Sequence, residues 1–331
     1  METVPNTGSV RTGVVGVGAL GTHHTRLYAE SPLAELVGVT DVDTERAGQI
    51  AEEYGCEAFA SVSELAEQVD ALSVAVPTTY HCEVVSDLLE RGTHVLVEKP
   101  LAMSATEGER LIEMADRANV VLAVGHVERY NPVLACLDTV PGPPRFIAAD
   151  RLASYPPTRP GLPPRGTEVS VIHDLMIHDL DIILSLMDRD VERVDAVGIA
   201  ILSPTEDIVN ARLVFENGSV ANLNASRVSR DRLRKIRVFK DTAYLSLDYQ
   251  AQKGEMATVK DGAVEHTSVP VGEGNALLRE LEDFCRCVRE TKESGQIAQP
   301  QVCGRAGLRA LALADRIAEA CAQTSHRSTA V

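Results

Sequence analysis

The stretch VIHDLMIHDLDIILSLM, residues 171–187, sets Asp174, His178 and Asp181 at i, i+4 and i+7 on one face of a helix that is otherwise apolar nearly all round. Burying ionisable groups without partners costs several kcal/mol, so this stripe must line a cavity or form a paired network. Asp174 is placed to hydrogen-bond one ring nitrogen of His178, which leaves the other to exchange a proton near neutral pH. The same spacing also suits a self-satisfied buried Asp–His pair. It suits a third chemistry too: His173-Asp174 and His178-Asp179 are two HD pairs of the kind that bind a divalent metal for phosphoester hydrolysis. A second candidate lies upstream, where HVLV runs into Glu98-Lys99-Pro100. Strand C-termini in doubly wound sheets face the ligand crevice, so the Lys99 ammonium points at whatever lies there, and Pro100 restricts Lys99 to an extended backbone. A solvated lysine is the plainer alternative.

What favours a proton relay over a metal pair is the beginning of the chain. VRTGVV, residues 10–15, ends in Gly16-Val17-Gly18-Ala19-Leu20-Gly21, which opens a helix, and Asp41 closes the next apolar run twenty positions after Gly21. That is the context of a dinucleotide-binding turn. Gly16 permits the turn, Gly18 lets a pyrophosphate approach the backbone, and Gly21 lets helix pack on strand. The N–H groups and positive end of the helix, Ala19 and Leu20 included, then hold the phosphates. Asp41 can accept hydrogen bonds from both ribose hydroxyls and repels a 2′-phosphate, which favours NAD over NADP. Arg46, five residues on, softens that preference. A glycine turn without a ligand is the alternative.

The elements that must position these residues fall into two groups. Strands are expected at 10–15, 35–40, 71–76, 94–97 and 120–124, alternating with helices ending near Glu30, at 44–54, at 80–91 and from the capping box Ser104–Glu107 to about Ala118. Strands apolar on both faces, separated by helices, mean a parallel sheet covered on both sides. After Pro132 the rhythm changes. A Pro-rich loop, Tyr155–Arg165, precedes the 171–187 helix, and strands then follow in succession with hairpin signals at Asn217-Gly218 and Asp261-Gly262. Two amphipathic helices, about 276–291 and 302–322, finish the chain. The expected fold is α/β: an N-terminal Rossmann-type doubly wound parallel sheet plus a C-terminal α+β domain with a large, mostly antiparallel open sheet. The expected division is a frayed tail over 1–9, a dinucleotide-binding domain over 10–130, and a substrate-binding and oligomerisation domain over 131–331.

Composition removes other classes. With 331 residues and a net charge of −16, the chain is repelled by nucleic-acid phosphates and anionic lipid, so neither is an expected partner. No apolar run approaches the roughly 20 residues that span a bilayer, and METVPNTGS lacks the features of a signal peptide. The seven cysteines are odd in number and lack CxxC spacing, which reads as packed, reduced thiols in a cytoplasmic protein. An acidic protein that binds an anion must gather cations, and Arg129, Arg151, Arg159 and Arg165 are the candidates.

Taken together, GVVGVGALGTHHTRLY, AVPTTYH, HVLVEKPLA, HVERYNP and DLMIH resemble the Gfo/Idh/MocA oxidoreductases over nearly the whole chain. The resemblance implies NAD as cofactor, no catalytic metal, and a catalytic group of Lys99, Asp174 and His178. It implies that Pro77, Thr78, His81 and Glu98 lie beside the cofactor, and that the protein is a homodimer or homotetramer joined through its open sheet. Within the family, GHVERYNP, the Pro/Arg loop and DLMIHDLDI are most similar to bacterial nucleotide-sugar 3-dehydrogenases. Those oxidise the 3-hydroxyl of UDP-N-acetylglucosamine to a ketone, which a PLP-dependent aminotransferase then aminates. A sister group acts on UDP-N-acetylglucosaminuronate, and other relatives act on free polyols such as inositol. The implied substrate contacts are Lys99, Arg129, Asn131, Arg151, Arg165 and His178. Glu168, in the same loop, suits an anionic substrate only if it points away. Some relatives are non-catalytic regulators; an intact Lys99, Asp174 and His178 count against that alternative.

Overall fold

A computed structural model describes residues 8–157, 164, 166–187, 189–260, 262–269 and 271–328. Most of the expected tail, together with Arg159, Arg165 and Asp261, lies outside the described residues. The chain divides into two compact units, 1–127 with 275–308, and 128–274 with 309–331.

In the first unit, β1 (Val10–Val15), β2 (Ala34–Thr40), β3 (Glu57–Ala58), β4 (Ala71–Val74), β5 (His94–Glu98) and β6 (Leu122–Gly125) form a sheet of order β3-β2-β1-β4-β5-β6. Every pairing is parallel. β4, β5 and β6 are buried along their whole length, as strands covered on both faces must be. Between them run α1 (Ala19–Glu30), α2 (Thr44–Tyr54), the short α3 (Val62–Ala66), α4 (His81–Glu90) and α5 (Ala105–Ala118). Local chemistry sets several of their ends. The Asp43 side chain caps α2, and Ser104 Oγ accepts the Glu107 N–H while Glu107 reaches back to the Met103 N–H. The strand order reverses between β1 and β4. That switch point opens a crevice outside the strand C-termini, where ligands bind in such sheets.

One element departs from the expected division. α7 (Ala276–Ser294) sets Leu281, Phe284, Cys285 and Val288 into the core formed by Val10, Val14, Leu27 and Tyr28. Residues 275–308 therefore complete the first unit instead of continuing the second. The periodicity of α7 announces an apolar face, but not which sheet that face covers.

The second unit holds β7 (Phe146–Leu152), α6 (Ile177–Leu186), β8 (Val191–Ile199), β9 (Ile208–Phe215), β10 (Val220–Ser226), β11 (Leu233–Phe239), β12 (Ala243–Asp248), β13 (Lys253–Lys260) and β14 (Ala263–Val269). They make an eight-stranded sheet of order β14-β13-β12-β11-β7-β10-β9-β8. All its pairings are antiparallel except β7 with β10. The last helix, α8, spans Gly304–Ser328. The seven cysteines are unbridged, and no described helix is long and apolar enough to cross a membrane.

Candidate active site

The glycine turn sits at the C-terminal end of β1. Gly16 has φ +85°, a conformation open to glycine at little cost, and a Cβ there would lie 2.9 Å from the Ala75 carbonyl oxygen. A Cβ on Gly21 would collide with the Gly16 carbonyl, so Gly21 is demanded by packing. Gly18 differs: a Cβ there meets nothing within 4 Å. The open space beside Gly18 adjoins the start of α1, which has no side-chain cap and no acidic residue in its first turn. Uncapped N–H groups at a helix start favour an anion, so this cradle fits a dinucleotide pyrophosphate.

Asp41, at the end of β2, accepts the Val17 N–H at 2.7 Å through Oδ2 and the Asp43 N–H at 3.0 Å through Oδ1. Arg46, in the first turn of α2, donates to the Val17 carbonyl at 2.5 Å and to Thr22 Oγ1 at 3.3 Å. The acidic candidate for cofactor choice, just after β2, and the basic one, in the first turn of α2, thus both bond the backbone of Val17.

Pro77 and Thr78 begin the turn after β4, next to this crevice. His81 does not face it. Its ring is buried, with Nδ1 2.8 Å from the Pro100 carbonyl and Nε2 3.0 Å from the Val76 carbonyl. That corrects the expectation of a cofactor contact: His81 ties the turn after β5 to the loop after β4. Lys99 follows β5 directly, its N–H bonded to Glu98 Oε2 at 3.3 Å, and the Lys99–Pro100 peptide is cis. Glu98 is buried, and Oε1 lies 3.1 Å from His24 Nε2. Burial pushes the Glu98 carboxyl pKa up, but the His24 hydrogen bond and the positive charge of Lys99 outweigh it and hold the pKa below the usual range.

In the second unit, Asp174 and His178 are half-buried on successive turns. The helix carrying them is not regular, as the sequence implied it would be. Residues Ile172–Met176 form a wide π-helical turn, with the Ile177 N–H reaching back to the Ile172 carbonyl, before regular α6 begins. Such turns re-aim side chains and cluster at functional sites. Gly166, at φ +78°, presses on Asp174: a Cβ there would stand 2.6 Å from Oδ2. The Gly166 carbonyl is held by Arg227, whose buried guanidinium also bonds Asp207, the Val169 carbonyl, Ser203 and Thr205.

Several expected ligands have other work. Arg151 is 2% exposed, donates to both Asp179 oxygens at 2.8 and 3.0 Å and to Glu128 at 3.1 Å, and stacks over Tyr249. Burial disfavours its charge, but those carboxylates outweigh burial and raise its pKa. It is a core cation, not a phosphate ligand. Asn131 is likewise engaged: Nδ2 donates to Glu128 and to the Tyr249 carbonyl, while Oδ1 accepts the Val133 N–H. Arg129 pairs with buried Asp181 at 3.3 Å. The two HD pairs diverge, His173 binding Asp315 at 2.9 Å and Asp179 binding Arg151. Among the described residues, no group of three or more His, Cys, Asp or Glu can hold a metal ion.

Sequence reasoning overlooked His24, Gly166 and Arg227, and also Arg230, Arg232 and Arg234, which are exposed around the β10–β11 connection. The last three had a signal in the run SRDRLRK, a basic cluster in an acidic chain.

Residues 10–126 match the family described as "Oxidoreductase family, NAD-binding Rossmann fold", and residues 142–246 match the GFO/IDH/MocA C-terminal domain. The chain is 37% identical over 313 residues to UDP-N-acetylglucosamine 3-dehydrogenase of Acidithiobacillus ferrooxidans, covering 92% of this chain and 95% of that protein. A solved structure of that enzyme, GnnA, superposes with TM-score 0.86 over 94% of this chain and 97% of its own. Myo-inositol 2-dehydrogenase of Thermotoga maritima is 29% identical over 232 residues, 66% of this chain and 69% of that protein. Levoglucosan dehydrogenase in complex with NADH shares the fold, with TM-score 0.84 at 18% identity over 95% of this chain and 97% of that one. With both halves of the chain matched in this way, the protein belongs to the Gfo/Idh/MocA oxidoreductases.

Proposed function

We propose that the protein is an NAD-dependent dehydrogenase that oxidises the 3-hydroxyl of UDP-N-acetylglucosamine to a ketone. The 37% identity to a UDP-N-acetylglucosamine 3-dehydrogenase, spread over 92% of the chain, carries this reading. Gly16, Gly18, Ala19, Leu20 and Gly21 hold the cofactor phosphates, and Asp41 selects NAD by accepting from the ribose hydroxyls. Bound NAD supplies the acceptor for the carbinol hydride. His178, steadied by Asp174, takes the hydroxyl proton, while the Lys99 ammonium stabilises the developing alkoxide. The alcohol loses one hydride and one proton and becomes a ketone. Cations that suit the diphosphate are Arg165 and the exposed Arg230 and Arg232. The product suits a PLP-dependent aminotransferase. The exposed apolar residues Val197, Ile199, Ile201 and Leu202 support a homodimer or homotetramer.

The test is reduced-nicotinamide absorbance with UDP-N-acetylglucosamine, its uronate and free inositol, each with NAD and with NADP. Lys99→Ala and His178→Ala are expected to lower turnover at least about a hundredfold, with NAD affinity near wild type. Unchanged turnover removes that residue from its role. Activity with inositol and none with nucleotide sugars overturns the substrate in favour of a second reading, a polyol dehydrogenase, which the Thermotoga maritima match supports.

A further inference from the structure

Beneath the end of β5 four side chains form a single hydrogen-bonded chain inside the first unit. Tyr28 Oη lies 2.8 Å from Ser73 Oγ, which lies 3.1 Å from His24 Nδ1. His24 Nε2 lies 3.1 Å from Glu98 Oε1, and Glu98 Oε2 accepts the Lys99 N–H. His24 and Ser73 are 0% exposed, so no solvent reaches either ring nitrogen. The other carboxylate oxygen is close to β6, since a Cβ on Gly125 would come within 3.0 Å of Glu98 Oε2.

One arrangement of hydrogens gives every donor an acceptor. The Tyr28 hydroxyl donates to Ser73 Oγ, the Ser73 hydroxyl to His24 Nδ1, and His24 Nε2–H to Glu98. A ring carrying its hydrogen on Nδ1 instead would turn the Nε2 lone pair on the carboxylate, which can only accept. The ionised Glu98 carboxylate therefore selects the His24 tautomer, and the Ser73 hydroxyl, able to donate or accept, serves the Nδ1 that this leaves bare. The titratable groups facing Glu98 are His24 from α1, Lys99 next to it in the chain, and His81 from α4.

We propose that His24 is a positioning residue for the dehydrogenase: paired with Glu98 through Nε2 and backed by Ser73 at Nδ1, it fixes the Glu98 carboxylate, and Glu98 in turn fixes the backbone and charge beside Lys99. A carboxylate released from His24 turns to the Lys99 ammonium, and an ammonium drawn to Glu98 is withdrawn from the alkoxide it serves. The proposal rests on Lys99 acting in the reaction.

The experiment compares His24→Leu, His24→Gln and Ser73→Ala, assayed with NAD and UDP-N-acetylglucosamine, with melting temperatures as a check on folding. Loss of a hydrogen bond to a buried carboxylate predicts kcat lower by roughly ten- to a hundredfold in His24→Leu, and Ser73→Ala, which removes only the partner of His24 Nδ1, lowers it less. KM for the sugar and Kd for NAD, measured by calorimetry, stay near wild type. His24→Gln, whose amide N–H replaces Nε2–H, restores most of the turnover. Independently of activity, nitrogen-15 NMR of the wild-type protein shows His24 protonated at Nε2 and bare at Nδ1. A wild-type ring protonated at Nδ1, a His24→Gln variant as slow as His24→Leu, or KM rising in step with the fall in kcat overturns the proposal. Failure of the Lys99 role shows separately, as full turnover in Lys99→Ala with the tautomer intact.

Discussion

Replacing Gly166 by alanine tests whether Asp174 is held in place from outside its own helix. The new Cβ would stand 2.6 Å from Asp174 Oδ2 and 2.9 Å from Cγ. Ordinary contact begins near 3.4 Å, so the carboxylate must retreat by about 0.8 Å, the difference between 3.4 and 2.6 Å. The loop cannot easily yield instead, because Arg227 grips the carbonyls of both Gly166 and Val169. A misplacement approaching 1 Å costs on the order of a hundredfold in rate when geometry sets the proton transfer. Holding alanine at positive φ adds about 1–2 kcal/mol of destabilisation, visible as a few degrees in Tm. The assay is steady-state turnover well below the melting transition, with Asp174→Asn as reference. The expected outcome is a kcat between wild type and Asp174→Asn with KM for NAD unchanged. Wild-type kcat in Gly166→Ala, alongside a strongly impaired Asp174→Asn, would refute the idea that this contact sets the carboxylate.

Two other outcomes follow from the second unit. Arg151→Met strands Asp179 and Glu128 in the core and is expected to cost about 3–5 kcal/mol in urea unfolding, without a selective rise in KM for the nucleotide sugar; a large rise in that KM at unchanged stability would return Arg151 to the substrate. Asp181 has its pKa pushed up to about 7 by burial, with Arg129 only partly opposing. Because the folded state then holds a proton that the unfolded chain releases near pH 4, wild type loses stability as pH rises from about 4 to 7. Asp181→Asn lacks this loss, so its stability relative to wild type climbs by up to about 1.4 kcal/mol per pH unit in that window. A pH-independent difference between the two would contradict the raised pKa.

Both sheets and the helix bearing Asp174 and His178 were legible in the sequence, because apolar periods and turn residues are local signals. The glycine turn was legible for the same reason, and Asp41 falls where its spacing put it. What escaped depends on partners far along the chain. Arg151 and Asn131 read as available polar groups until Asp179, Glu128 and the Tyr249 carbonyl fold against them. His81 read as a ligand-facing histidine, though two carbonyls claim its ring. The π-turn at Ile172–Met176 leaves no mark in an apolar pattern that suits either winding, and Gly166 gains its meaning only from the carboxylate beside it.

The return of α7 to the first unit has a consequence for synthesis. Phe284 and Val288 are among the last core residues of that unit to leave the ribosome, after every strand of the second sheet. An excised fragment ending near residue 130 would expose the apolar floor that they cover and is expected to aggregate. Joining residues 8–127 to 275–308 by a short polar linker is the cut that respects the packing.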